Sequence, residues 1–121
     1  MIVDDSNIVR NRISRLAGDP RLSTINLVGS ASNGAEAIQV FNKTQPDIVT
    51  MDLTMPEMDG VECTEALMDM NPEIRILVIS ALSDKATAIN ALKKGAQGFL
   101  YKPFTDDEII NALLELSEVE S

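Results

Sequence analysis

Short apolar runs rich in β-branched residues alternate along this chain with longer segments whose apolar residues recur every three to four positions. The first pattern predicts strands and the second predicts amphipathic helices. Five segments of each kind follow one another, separated by Gly, Pro, Asn and Asp. The predicted strands are Met1–Val3, Ile25–Gly29, Asp47–Leu53, Ile76–Ile79 and Gly98–Tyr101.

The helical segments begin at residues that can cap a helix. Ser6 is the predicted N-cap of the first helix and Ser83 of the fourth, because their hydroxyls can accept from free backbone N–H groups. Asn33–Gly34 opens the second helix, and the third covers Val61–Met70. A capping box at Thr105–Glu108 precedes the fifth helix. The predicted buried stripe of that last helix comprises Ile109, Ile110, Leu113 and Leu114.

Strict alternation of strands and helices predicts right-handed βαβ units and one parallel sheet covered on both faces. The fold class is therefore α/β, doubly wound. We expect a single domain over residues 1–121, with no output domain among them. Ligands of such sheets bind beyond the carboxyl ends of the strands.

Composition narrows the possible chemistry. Ten basic against 19 acidic residues give a net charge of -9, which disfavours direct nucleic-acid binding. The absence of histidine excludes Ser-His-Asp catalysis and histidine metal ligands on this chain. The single Cys63 excludes an internal disulfide and suits a cytoplasmic protein. No apolar run approaches the roughly 18 residues of a membrane span, so we expect no membrane insertion.

Polar residues follow four of the predicted strands. Asp4 and Asp5 follow the first, Asp52 ends the third, Ser80 follows the fourth and Lys102 follows the fifth. Taken singly, they could be a helix cap, a turn residue, a strand-end hydroxyl and a solvated charge. Because parallel strands bring their carboxyl ends to one edge, we expect these side chains to converge there.

A cluster of three carboxylates, a hydroxyl and a lysine favours cation binding and phosphoryl transfer. Three carboxylates in one cleft repel one another unless a cation neutralises them, and oxygen ligands without His or Cys favour a hard cation such as Mg²⁺. One nucleophilic carboxylate beside a lysine and a hydroxyl suits an acceptor in phosphoryl transfer.

Four motifs are distributed over most of the chain: IVDDS at 2–6, MDLTMPEMDG at 51–60, ISA at 79–81 and GFLYKPF at 98–104. With these motifs the chain resembles the receiver domains of two-component response regulators. The resemblance implies a flavodoxin-like (βα)5 fold with strand order 2-1-3-4-5.

The resemblance assigns a metal site and a phosphoryl site. Asp52 matches the phosphoacceptor and also a Mg²⁺ ligand. Asp5 matches the acid that binds the metal directly, Asp4 matches its neighbour that acts through water, and the main-chain carbonyl of Thr54 completes the set.

Three further residues match the switch of the family. Ser80 matches the hydroxyl that binds the phosphoryl group, and Lys102 matches its charged partner. Phe99 falls at the aromatic switch position, although a core aromatic is the alternative interpretation. Threonine is commoner than serine at the position of Ser80.

The two variable positions near the phosphoryl group hold Thr54 and Leu82, neither of which is an acid or amide that could readily orient an attacking water. This predicts a comparatively long-lived phosphoryl group.

The implied function is signalling and not multiple-turnover catalysis. A histidine kinase or a histidine phosphotransfer domain would be the phosphodonor, and a protein target or a severed effector domain would read the result. Two alternatives stay open. One is a degenerate receiver that serves only as an interaction module. The other is an aspartyl-phosphate hydrolase of the haloacid dehalogenase type, whose signature needs a second Asp where this chain has Thr54.

Overall fold

In the computed structural model, residues 1–53, 59–81 and 84–117 are described, and they form a five-stranded parallel sheet flanked by helices. The strand order is β2-β1-β3-β4-β5, and each neighbouring pair is parallel. This confirms the doubly wound fold and the order 2-1-3-4-5. Strands β1 and β3 are neighbours at the centre, so their carboxyl ends meet.

The elements alternate along the chain as predicted. The strands are β1 (Ile2–Val3), β2 (Ser30–Ala31), β3 (Ile48–Asp52), β4 (Arg75–Ala81) and β5 (Gly98–Lys102). The helices are α1 (Asn7–Leu16), α2 (Gly34–Thr44), α3 (Gly60–Met70), α4 (Lys85–Lys93) and α5 (Asp106–Ser117), with a short 3-10 turn at Pro20–Leu22. None of the helices in these described ranges combines the length and apolar character that crossing a bilayer requires.

The sheet separates two apolar cores. Alternate residues of one strand face opposite sides, so Val3 packs in one core while Ile2 packs in the other. The first core is completed by α2, α3 and α4, through residues such as Phe41 and Leu67. The second is completed by α1 and α5, through residues such as Ile13. Burial of both faces explains why the central strands are almost continuously apolar.

The predicted second strand is wrong in position. The apolar pattern places it at Ile25–Gly29, but β2 comprises Ser30–Ala31. Ile2 pairs with Ser30 and Val3 with Ala31, so these two residues of the segment form the ladder with β1. The apolar run before them has no register partner in β1.

Helix caps follow the sequence closely. The Ser6 hydroxyl accepts from Val9 N at 3.3 Å, and the side chains of Thr105 and Glu108 bond reciprocally to each other's backbone N–H. The expected cap Ser83 lies outside the described residues. In α5 the predicted stripe is partly wrong: Leu114 is only half-buried, and Leu116 is buried instead.

Candidate functional site

The carboxyl edge of the sheet brings the predicted polar residues together. Asp4 follows β1, Asp52 ends β3, Ser80 lies near the end of β4 and Lys102 ends β5. Asp4, Asp52 and Ser80 are almost fully buried, with 1–2% of their surfaces exposed. Burying polar groups costs free energy unless they are paired. The clustering of these three buried side chains at one edge therefore favours a functional role.

The loop between β1 and α1 fixes Asp4. Its Oδ1 accepts from Ser6 N at 2.8 Å, and its backbone N–H donates to Ala31 O at 3.1 Å. Arg10 donates to the Asp4 carbonyl at 2.5 Å. These contacts hold the acid pair at the mouth of the sheet and leave the neighbouring Asp5 exposed.

Lys102 lies between two of the buried acids. Its Nζ is 3.5 Å from Asp4 Oδ2 and 3.6 Å from Asp52 Oδ1. The lysine side chain is 34% exposed, so it contacts solvent as well as the two buried carboxylates. The ammonium on the flexible lysine stem can also bind the oxygens of an anion at this edge.

A metal can be held by the three acids. Asp4, Asp5 and Asp52 each offer a carboxylate oxygen, and these oxygens all lie within 4.8 Å of one another. Asp4 Oδ2 is buried and, among the described residues, makes no hydrogen bond, although the Lys102 ammonium lies 3.5 Å away as its ion-pair partner. Three carboxylates against the ammonium of Lys102 leave a charge of minus two, which a divalent cation neutralises. The donor set consists of oxygens only, which fits a hard cation.

Ser80 lies at the same edge but its hydroxyl is engaged elsewhere. The Oγ donates to the carbonyls of Ala81 and Asp84, both at 3.4 Å. Such long contacts are weak. The hydroxyl can therefore exchange them for a stronger acceptor at little free-energy cost.

Gly60 supports the end of β3 in a way that sequence reasoning missed, since the sequence indicates only a turn residue there. A Cβ at this first residue of α3 would overlap the carbonyl oxygen of Asp52 and the Cα of Leu53. The Gly60 N–H donates to Leu53 O at 3.2 Å. Only glycine allows α3 to start so close to the acidic strand end.

Arg12 holds the segment after β5, and sequence reasoning also missed it as a positioning residue. It donates to Phe104 O at 2.7 Å, pairs with Asp106 at 2.8 Å and lies 4.5 Å over the Phe104 ring. The cis peptide Lys102–Pro103 lies in the same connection. Basic residues in α1 and acids in α5 are visible in the sequence, but their pairing needs the tertiary structure.

Four other residues were singled out in the sequence: Phe99, Thr54, Leu82 and Cys63. Phe99 is 45% exposed and its ring packs edge-on against Tyr101 at 5.2 Å, so it is a surface aromatic and the core alternative is wrong. Thr54 and Leu82, expected near the phosphoryl group, lie outside the described residues. Cys63 is fully buried, and burial raises the pKa of its thiol to about 11, which removes it as a nucleophile at neutral pH.

Comparison with known proteins decides the family. The family profile described as "Response regulator receiver domain" matches residues 1–114. This chain belongs to that family. A chemotaxis protein CheY from Listeria monocytogenes is 39% identical to the receiver over 113 residues, which cover 93% of this chain and 92% of that protein.

Two further relatives show the range of proteins that carry this domain. The structure of a CheX-CheY-BeF3-Mg²⁺ complex from Borrelia burgdorferi aligns with a TM-score of 0.85 and 30% identity, covering 98% of the receiver and 87% of that chain. A protein-glutamate methylesterase/protein-glutamine glutaminase from Idiomarina loihiensis is 40% identical over 93% of this chain but only 30% of its own length. That enzyme is therefore much longer than the domain it shares with this chain.

Proposed function

We propose that this receiver accepts a phosphoryl group on Asp52 from a phosphohistidine donor, with Mg²⁺ bound by Asp5, Asp52 and the main-chain carbonyl of Thr54, and by Asp4 through water. The donor would be a histidine kinase or a histidine phosphotransfer domain, as family membership suggests. The observation that carries the proposal is the convergence of Asp4, Asp52 and Lys102 within salt-bridge distance at one edge of the sheet.

The proposed step is an in-line displacement at phosphorus. An oxygen of Asp52 forms the new O–P bond while the N–P bond to the donor imidazole breaks, and the imidazole leaves with the electron pair. A cation bound by these residues would neutralise negative charge on the acids and on the phosphoryl oxygens. Lys102 moves from its two carboxylates toward those oxygens, which its partial exposure permits.

The proposed switch begins at Ser80. A phosphoryl oxygen on Asp52 is a stronger acceptor than the carbonyls of Ala81 and Asp84 that now bind the hydroxyl at 3.4 Å. Rotation of Ser80 would release those two carbonyls. Phe99 is the proposed reporter of this change, because its exposed ring lies three residues before Lys102 on β5. A downstream protein or an effector domain would bind the altered surface.

Acetyl phosphate with Mg²⁺ replaces the cognate donor in the test. Intact-mass measurement is expected to find one phosphoryl group on the wild type and none on Asp52→Asn. Asp47→Asn is the matched control, because Asp47 is an exposed acid just before the opposite end of the same strand, and it should be phosphorylated like the wild type.

The other outcomes distinguish the alternatives. Free phosphate released over many turnovers without a persistent adduct would indicate an aspartyl-phosphate hydrolase. No adduct on a folded wild type would indicate a receiver that acts only by binding a partner. Either result contradicts the proposed function.

A further inference from the structure

Lys102 lies beside an acid that belongs to a distant strand. In the sheet, β3 and β4 separate β5 from β1. At about 4.8 Å between neighbouring strands, the backbones of β1 and β5 lie on the order of 14 Å apart. The Lys102 ammonium is 3.5 Å from Asp4 Oδ2 and 3.6 Å from Asp52 Oδ1, longer than the roughly 2.7–2.9 Å of a strong charge-assisted hydrogen bond. A shift of the Lys102 backbone away from β1 would therefore take the ammonium out of contact with both acids.

The connection that follows Lys102 is held by Arg12 of α1. Arg12 Nη2 donates to Phe104 O at 2.7 Å, and the guanidinium carbon lies 4.5 Å from the centre of the Phe104 ring. The same guanidinium pairs with Asp106 at 2.8 Å. The Phe104 side chain is itself buried in the second core. One planar group therefore fixes both the backbone and the ring of a residue two positions after Lys102.

Helix α1 also holds the acid side of the site. It begins directly after its cap Ser6, whose backbone N–H donates to Asp4 Oδ1 at 2.8 Å. Arg10 donates to the Asp4 carbonyl at 2.5 Å. Arg10 and Arg12 thus join a single turn of one helix to the connection after β1 and to the connection after β5. Since that turn is rigid, α1 sets the spacing between Asp4 and the backbone that carries Lys102.

A second ion pair to α5 does not share this geometry. Arg21 pairs with Asp107 at 3.2 Å, and both side chains are at least half exposed. Among the described residues, its polar contacts are with Asp19 and Asp107, and none reaches the connection at Phe104. Exposed ion pairs of this kind contribute little to stability. Arg21 therefore offers a matched comparison for Arg12.

We propose that Arg12 is a positioning residue for phosphoryl transfer to Asp52, a role that rests on the proposed function. It acts through Lys102, by holding the connection after β5 where the ammonium lies beside Asp4 and Asp52. Lys102 is then in place to bind phosphoryl oxygens in the transition state. A misplacement of about 1 Å in such a group can slow a reaction on the order of a hundredfold.

Four substitutions separate this role from effects of charge and stability. Arg12→Gln removes the contacts with Phe104 and Asp106. Arg12→Lys is the milder change, because it keeps the charge but replaces the planar fork with a single ammonium. Arg15→Gln removes an exposed charge from the same helix, and Arg21→Gln removes the other ion pair to α5. Thermal melts identify the temperature range in which all four variants are folded.

The first measurement is the rate at which acetyl phosphate, with excess Mg²⁺, phosphorylates each variant. Arg12→Gln should be about tenfold slower than the wild type, with Arg12→Lys between them. Arg15→Gln and Arg21→Gln should stay within about twofold of the wild type. Equal rates for Arg12→Gln and the wild type would overturn the role of Arg12. Equal slowing by Arg12→Gln and Arg21→Gln would also overturn it, because loosening of α5 as a whole would then explain both.

The second measurement is the affinity for Mg²⁺ by calorimetry, which needs no phosphorylation. An ammonium beside the acids repels a divalent cation, so its displacement in Arg12→Gln should tighten Mg²⁺ binding about threefold. Arg15→Gln controls for the lost charge. In a Lys102→Ala background there is no ammonium to displace, so Arg12→Gln should leave the affinity unchanged.

The two measurements fail in different ways. The same change of Mg²⁺ affinity in both backgrounds would overturn the inference, because Arg12 would then act independently of Lys102. A wild type that binds Mg²⁺ but forms no phosphoryl adduct would contradict the proposed function. The affinity comparison would still decide in that case whether Arg12 positions Lys102.

Discussion

The two edges of the sheet differ in the side chains that they present. At the carboxyl edge, the ends of β1, β3 and β5 bring the Asp4 and Asp52 carboxylates within 3.6 Å of the Lys102 ammonium, and Ser6 N donates to the Asp4 side chain. At the amino edge, β1 begins at Ile2, and apolar side chains remain exposed beside it. The site needs only the last residues of β1, because Asp4 is fixed by Ser6 and Ala31.

The largest expected effect is on the free energy of unfolding, when alanine replaces one glycine at each edge of the sheet. Gly60→Ala places a methyl group against backbone atoms of Asp52 and Leu53, which cannot move without shifting β3. We expect a loss of about 3 kcal/mol in the free energy of unfolding and weakened phosphorylation. Gly29→Ala meets the Cγ1 of Val40 at 2.6 Å; this β-branched side chain is stiff in a helix but only partly buried, so it can shift more easily than a backbone atom. Its loss should be smaller, about 1 kcal/mol.

Urea unfolding of both variants measures this difference, with Gly18→Ala as a control because its nearest atom, Arg15 O, is 3.4 Å away. Equal losses for Gly60→Ala and Gly29→Ala would mean that the two edges are packed alike.

The next effect concerns pH and belongs to the amino edge. The amino group of Met1 has a pKa of about 6 when folded and 8.0 when unfolded, so the unfolded chain binds more protons between these values. Stability should therefore rise as pH increases from 6 to 8, by roughly 2 kcal/mol. The chain contains no histidine, which keeps this window free of the usual titrating side chain.

Chemical unfolding across pH 6 to 8 checks this, with a variant that carries Gly-Ser-Gly before Met1 as the control. Its amino group lies away from the buried position, so its stability should change less over the same range. Parallel pH profiles for the two proteins would show that the Met1 amino group is not destabilised by burial.

A smaller effect is expected from the metal at the carboxyl edge. Mg²⁺ at ten times its dissociation constant should add about 1.4 kcal/mol, because it binds only the folded form. For a domain of this size that corresponds to about 5 °C in melting temperature. Asp5→Asn should remove most of this response, because it removes one of the three clustered carboxylates. Asp69→Asn, which alters an exposed acid on α3, should keep it.

Thermal melts in EDTA and in excess Mg²⁺ provide the measurement. Identical wild-type curves would contradict a metal site, and an equal loss of response in both variants would attribute the effect to net charge.

The sequence predicted the fold class and the strand-end residues because both depend on local pattern. Alternating strands and helices leave few topologies, and parallel strands must bring Asp4, Asp52 and Lys102 to one edge. Capping residues such as Ser6 act through neighbouring atoms, so their roles were also accessible.

The errors arose where a distant partner decides the outcome. The run at 25–29 has the composition of a strand, but the residues that pair with β1 are Ser30 and Ala31. In the sequence Gly60 is an ordinary turn residue. Its importance comes from its close approach to the backbone of Asp52, which only the folded structure shows. In the sequence Arg12 is indistinguishable from a solvated surface charge. Its contacts with Phe104 and Asp106 appear only in the tertiary structure.

Locating the phosphoryl group tests the central claim most directly. After treatment with acetyl phosphate and Mg²⁺, the wild-type protein is digested and its peptides are sequenced by fragment mass spectrometry. We expect a single phosphoryl group on Asp52, at the carboxyl end of β3. A phosphoryl group on Asp4, Asp5 or any other residue, with Asp52 unmodified, would contradict the proposed role of Asp52.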